Sequence, residues 1–94
     1  MEEELILKAD EALDYVRDNV EISDVLELSY NRVFVPAEVI DIDLDTENSL
    51  KLMLQMNGEI INDTVELDLV EVKDELLEIR HIRDDKLTII VVES

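Results

Sequence analysis

Ninety-four residues are enough for one domain spanning 1–94 with a single core, and too few for two. With 26 acidic against 8 basic residues the formal net charge is -18, which argues against direct nucleic-acid binding and against adsorption to anionic membranes, since both need Lys and Arg to meet phosphate. Cysteine is absent, which removes disulfides, thiolate nucleophiles and thiolate metal sites and fits an intracellular setting; hydrophobic residues at 47% argue against disorder despite the charge.

The opening MEEELILKAD is acidic with a very short apolar run, unlike a signal peptide, and no apolar stretch approaches a membrane span. The expectation is a mature, soluble, cytoplasmic chain. From Glu2 to Asn19, Leu5, Ala9, Ala12, Leu13 and Val16 recur at helical spacing, Val20 continues the series, and Ile6 and Tyr15 widen the stripe. This predicts an N-terminal amphipathic helix with Glu2, Glu3 and Glu4 at the positive end of its dipole.

Residues 24–31 carry two signals. Asp24 to Glu27 resembles a capping box, whereas Leu26, Leu28 and Tyr30 alternate with Glu27 and Ser29, and the alternation favours strand. Val33, Phe34 and Val35 then meet Pro36, which predicts a break or a sheet edge. Beyond it, Ile40, Ile42 and Leu44 alternate with Asp41, Asp43 and Asp45, and a loop through TENS leads to Leu50, Leu52, Leu54 and Met56. Asn57-Gly58 signals a second hairpin. Val65, Leu67 and Leu69 alternate with Glu66 and Asp68, and the shift to Val70 and Val72 predicts a bulge or change of face before a turn at Lys73, Asp74 and Glu75.

The final hairpin pairs Leu76–Ile82 with Leu87–Val92 around Asp84-Asp85. Leu77, Ile79, Ile90 and Val92 are expected on one of its faces and Ile82, Leu87, Ile89 and Val91 on the other, with the N-terminal helix covering the second apolar face. The fold class expected is α+β: one N-terminal amphipathic helix packed on a mainly antiparallel β-meander of about five strands. An unprotected Leu87–Val92 edge would leave homodimerisation open.

Two acidic rows stand out. Asp41, Asp43 and Asp45 lie along one strand face, where successive side chains have a spacing of about 6.6 Å. That is close to the roughly 6.8 Å by which DNA phosphates advance every two nucleotides. Asp10, Asp14 and Asp18 form a second row along a helix at i, i+4 and i+8, where like charges carry a modest cost. Solvated faces would also explain such rows, but a net charge of -18 far exceeds the roughly 2 to 8 units that solubility requires.

Asp41, Asp43 and Asp45 also resemble the start of an EF-hand loop, yet Thr46 stands at the glycine position and Leu52 at the closing glutamate position. No metal or other cofactor is assigned. Catalysis finds little support: His81 is the only histidine, one glycine cannot build a phosphate loop, and the serines lack a nucleophile-elbow setting.

The reading drawn from the sequence is therefore an acidic, non-enzymatic interaction protein. It would inhibit by mimicking nucleic-acid phosphates on the basic surface of a nucleic-acid-binding protein or defence nuclease, in the manner of phage and mobile-element proteins. Asp41, Asp43, Asp45, Glu66, Asp68, Asp10, Asp14 and Asp18 are the partner-binding candidates. A calcium- or magnesium-binding domain and a salt-adapted structural domain are the alternatives.

Overall fold

The computed structural model describes residues 2–43, 49–56 and 63–93. In chain order the elements are β1 (Glu2–Lys8), α1 (Ala9–Asn19), β2 (Val25–Tyr30), β3 (Val33–Asp43), β4 (Lys51–Met56), β5 (Thr64–Asp68), α2 (Leu69–Val72), a 3-10 turn (Lys73–Glu75), β6 (Leu76–Arg83) and β7 (Lys86–Glu93). The strands form one seven-stranded sheet in the order β1-β7-β6-β2-β3-β4-β5, antiparallel throughout except where β1 runs parallel to β7. The α+β class and the mainly antiparallel sheet agree with expectation. The strand count and the simple meander do not.

The largest departure is at the N-terminus. Glu2–Lys8 is a strand, with Leu5 paired to Ile90 and Leu7 to Val92, so helix begins only at Ala9. The triplet Leu5-Ile6-Leu7 fits either period, and its partner strand lies at the far end of the chain, beyond the reach of local propensity. Glu2, Glu3 and Glu4 therefore lie on an edge strand and do not cap a helix. It is Glu11 that supports the helix start, its carboxylate accepting the Lys8 N–H at 3.0 Å.

Residues 25–30 form the strand that the alternation favoured. β2 and β3 make a tight hairpin around Asn31 and Arg32, with φ of 43° and 70°, the left-handed pair that a type I' turn requires. In such a hairpin the residues flanking the loop exchange both hydrogen bonds, and bonded pairs then alternate. That rule places Pro36, opposite Glu27, at a non-bonded position toward β2, and the described β4 ladder reaches only to Ala37. β3 therefore runs through Pro36 without losing a described ladder bond, which corrects the expected break.

Two bulges reset the alternation. A register shift between Val39 and Asp41 turns Ile40 outward, 38% exposed, instead of into the core with Ile42. Another shift, opposite Ser29 and Tyr30, places Leu76 in the core and leaves Leu77 57% exposed, so Leu77 does not share a face with Ile79 and Ile90. The change of face foreseen near Val70 is the short helix α2, whose start is capped by Asp68. The Asp84-Asp85 hairpin forms as expected, whereas Asn57-Gly58 and most of the TENS loop lie outside the described residues.

The core lies on one face of the sheet. Ala12, Leu13 and Val16 of α1 and Leu69 of α2 pack with Leu26, Leu28, Val39, Leu52, Leu54, Ile79 and Ile90. The opposite, outer face carries Ile82, Leu87, Ile89 and Val91, and no described helix covers it. The expectation that α1 would cover those four residues is thus corrected: α1 sits over the face of Ile79 and Ile90. β7 lies between β1 and β6, so the edge proposed for dimer pairing is already filled, and the sheet's edges are β1 and β5.

Candidate functional site

Asp41 and Asp43 are exposed and share the outer face, as their spacing requires. Sheet register aligns Asp41 with Met53 and Glu66, and Asp43 with Lys51 and Asp68, across β3, β4 and β5. Together Asp41, Asp43, Lys51, Met53 and Glu66 border a shallow depression of about 70 Å³. Asp45 lies outside the described residues. Asp68 serves the fold locally, because one of its carboxylate oxygens accepts the N–H groups of Leu50 and Val70, each at 3.0 Å, and so ties the start of β4 to that of α2.

The helical row is separate from this cluster. Asp10, Asp14 and Asp18 are exposed on the solvent side of α1, and α1 packs on the core face of the sheet. Asp10 accepts from Lys73 Nζ at 2.9 Å, raising the lysine's pKa, and Asp14 accepts from Arg17 at 3.3 Å. The structure therefore unites Asp41, Asp43 and Glu66 and places the helical aspartates on the other side of the molecule.

The outer face extends well beyond that cluster. Register places Glu2, Leu87, Ile82, Val25, Glu38, Gln55 and Thr64 in one row across all seven strands. A neighbouring row reads Glu4, Ile89, Arg80, Glu27 and Pro36, and the next Ile6, Val91, Glu78, Ser29 and Phe34. Half-buried aliphatics fill the centre, with Ile6 65% exposed at one side and Phe34 56% exposed at the other. Glutamates and aspartates border them. Arg80 is the cation within these rows, where Glu78 accepts from it at 2.9 Å, and Lys8 and Lys51 stand among the bordering residues.

A second constellation, on the core face, was not anticipated from the sequence. His81, 5% exposed, follows Ile79 inward on β6, and its Nε2 lies 2.7 Å from the carboxylate of Asp24, itself 7% exposed. Its Nδ1 lies 2.7 Å from the hydroxyl of Tyr15 on α1, with the two rings edge to face at 5.7 Å. Arg83 Nε donates to both Asp24 oxygens, at 3.0 and 3.1 Å, and its Nη2 donates to Asp24 at 2.8 Å and to the Asn19 carbonyl. The Glu21 N–H donates to Asp24 as well, at 2.9 Å.

Burial alone would push the Asp24 carboxyl up, but the Arg83 guanidinium, His81 and the Glu21 N–H outweigh it and hold the pKa at about 2. An ionised Asp24 only accepts, so the tautomer of a neutral imidazole that satisfies both contacts carries its proton on Nε2 and accepts from Tyr15 at Nδ1. The network opens onto a cleft of about 390 Å³ lined by Tyr15, Asn19, His81, Arg83, Asp84, Asp85, Lys86 and Thr88.

Residues 3–91 match a family described as an uncharacterized protein conserved in archaea (DUF2097). The chain belongs to this family. No curated protein and no solved structure matches it. Among the described residues no group of three or more His, Asp or Glu side chains is arranged to hold a metal ion. No described helix is long and apolar enough to cross a membrane.

Proposed function

We propose that this chain is an acidic interaction protein whose outer sheet face occupies the basic, nucleic-acid-binding surface of another protein, its carboxylates taking the positions of phosphates. The observation that carries the reading is the face that no described helix covers, an apolar centre of Ile82, Leu87, Ile89 and Val91 flanked by Ile6, inside an acidic border that includes Glu2, Glu4, Glu38, Asp41, Asp43 and Glu66. An apolar core with a polar rim is the usual anatomy of a protein interface. The sign of this rim selects a basic partner and repels a second copy of a chain whose net charge is -18.

Occupying such a surface inhibits the partner by exclusion and needs no chemistry on the acidic chain. Inhibition of a defence nuclease by a mobile-element protein is one form of this mode. Membership in a family conserved in archaea favours an archaeal nucleic-acid-binding protein as the partner.

The test is capture from nuclease-treated archaeal lysate, comparing the wild-type chain, Asp41→Asn/Asp43→Asn/Glu66→Gln, and Ile6→Ser. Support would be one nucleic-acid-binding protein that the wild type retains, both variants lose, and duplex DNA displaces. A partner that holds DNA and the chain simultaneously, or equal retention by the triple variant, would remove phosphate mimicry from the explanation.

A further inference from the structure

We propose that the cleft beside His81 is a second, chemically reactive site, in which the Tyr15 hydroxyl, activated by His81 and oriented through Asp24, attacks small acyl esters. The site lies on the core face, away from the proposed docking surface, and does not depend on that reading. It also departs from the non-catalytic expectation, which weighed the lone histidine, the single glycine and the serines but not a tyrosine.

Carboxylate, imidazole and hydroxyl stand in series, with both contacts to His81 at 2.7 Å. A hydrolytic triad is recognised by this order of roles, not by position in the chain or by fold. Asp24 fixes the imidazole with its lone pair aimed at Tyr15, and three contacts from Arg83 lock the carboxylate in turn. Asp24 is thus a positioning residue, whereas Tyr15 and His81 line the cleft and can touch a substrate. A phenol ionises near pH 10, so a neighbouring imidazole needs to supply less driving force than it would to an aliphatic hydroxyl.

The cleft, about 390 Å³, falls in the size range of small-molecule sites. Charge selects the substrate class. Asp84 and Asp85 offset Arg83 and Lys86 in the lining, and within a chain of net charge -18 such a balanced cleft suits an uncharged acyl ester better than an anionic phosphate ester. The Lys86 ammonium can meet the carbonyl oxygen as it gains charge.

In the first step the Tyr15 oxygen forms a bond to the carbonyl carbon while its proton passes to His81 Nδ1. The bond to the alcohol breaks, and the departing alkoxide takes that proton. Water then attacks the acyl-tyrosine, giving one proton to His81. The acid leaves and the Tyr15 oxygen recovers the proton, so ester and water become acid and alcohol.

The chain's second tyrosine, half-buried Tyr30, serves as an internal control. The folded protein is treated with phenylmethanesulfonyl fluoride, which traps an activated hydroxyl as a stable sulfonate ester with loss of fluoride, and the modified peptides are mapped by mass spectrometry. Turnover of p-nitrophenyl acetate is followed in parallel. The expected result is modification of Tyr15 at least tenfold faster than Tyr30, a tenfold slower reaction in His81→Gln shown to be folded by circular dichroism, and loss of turnover in Tyr15→Phe. Equal modification of the two tyrosines in the wild-type protein, which requires no variant to fold, would overturn the proposal, as would undiminished turnover in Tyr15→Phe.

Discussion

Asp24 shows how much a single buried carboxylate can govern. Its pKa of about 2 lies below the ordinary 3.8, so the unfolded chain takes up the proton first as acid is added. The stability this group contributes is therefore complete above the ordinary value and is lost as pH falls through the folded one. The difference corresponds to roughly 2 kcal/mol. Urea unfolding of the wild type and Asp24→Asn should differ by roughly 3 kcal/mol near neutral pH, since Arg83 and His81 lose a charged partner, and the gap should narrow between pH 4 and pH 2. A gap independent of pH would show that the carboxylate's charge is not what stabilises the fold. None of this network was legible in the sequence, because Tyr15 and Asp24 lie 66 and 57 positions from His81 and no spacing rule connects them. The one available signal was phase: His81 follows Ile79 at strand spacing, which places an imidazole on a core face where it must find partners. The aspartates at 41 and 43, by contrast, were legible because strand period alone sends them to the same side.

At the scale of elements, sequence reading succeeded where local chemistry decides and failed where distant partners do. The hairpin of β6 and β7 and the pairing of β3 with β4 follow from alternation and turn residues. β1 does not, because the fate of Leu5-Ile6-Leu7 is settled by β7. The two bulges were equally hidden: Ile40 and Leu77 obey the apolar alternation in sequence and break it in space. As an edge strand β1 also explains its acidic opening, since charge on an exposed edge deters pairing with another chain. Replacing Glu2, Glu3 and Glu4 with threonine should leave the circular dichroism spectrum unchanged while producing concentration-dependent association in light scattering. A variant whose scattering matches that of the wild type would mean that the edge is protected by something other than charge.

For the whole molecule the dominant quantity is a net charge of -18. Self-repulsion of that size opposes folding and is relieved by screening. The melting temperature should therefore climb with sodium chloride. Calcium at matched ionic strength should add nothing further, because the described carboxylates are not grouped as ligands of one ion. A calcium-specific rise would restore the metal-binding alternative, and complete unfolding at low salt would favour the salt-adapted one. For Asp41→Asn/Asp43→Asn/Glu66→Gln the prediction is unchanged or higher stability in the same melts, since like charges on a shared face cost energy. A substantial loss would mean that those carboxylates hold the sheet together.

The parallel seam between β1 and β7 also sets a timetable. Glu2 meets Leu87 and Lys8 meets Glu93, so β1 is held by β7, the described strand furthest from it along the chain. While the chain emerges from a ribosome, β1 has no place in the sheet until β7 follows it out. Folding is therefore completed after translation of β7, and any nascent chain cut short before Lys86 leaves its N-terminal strand without its partner.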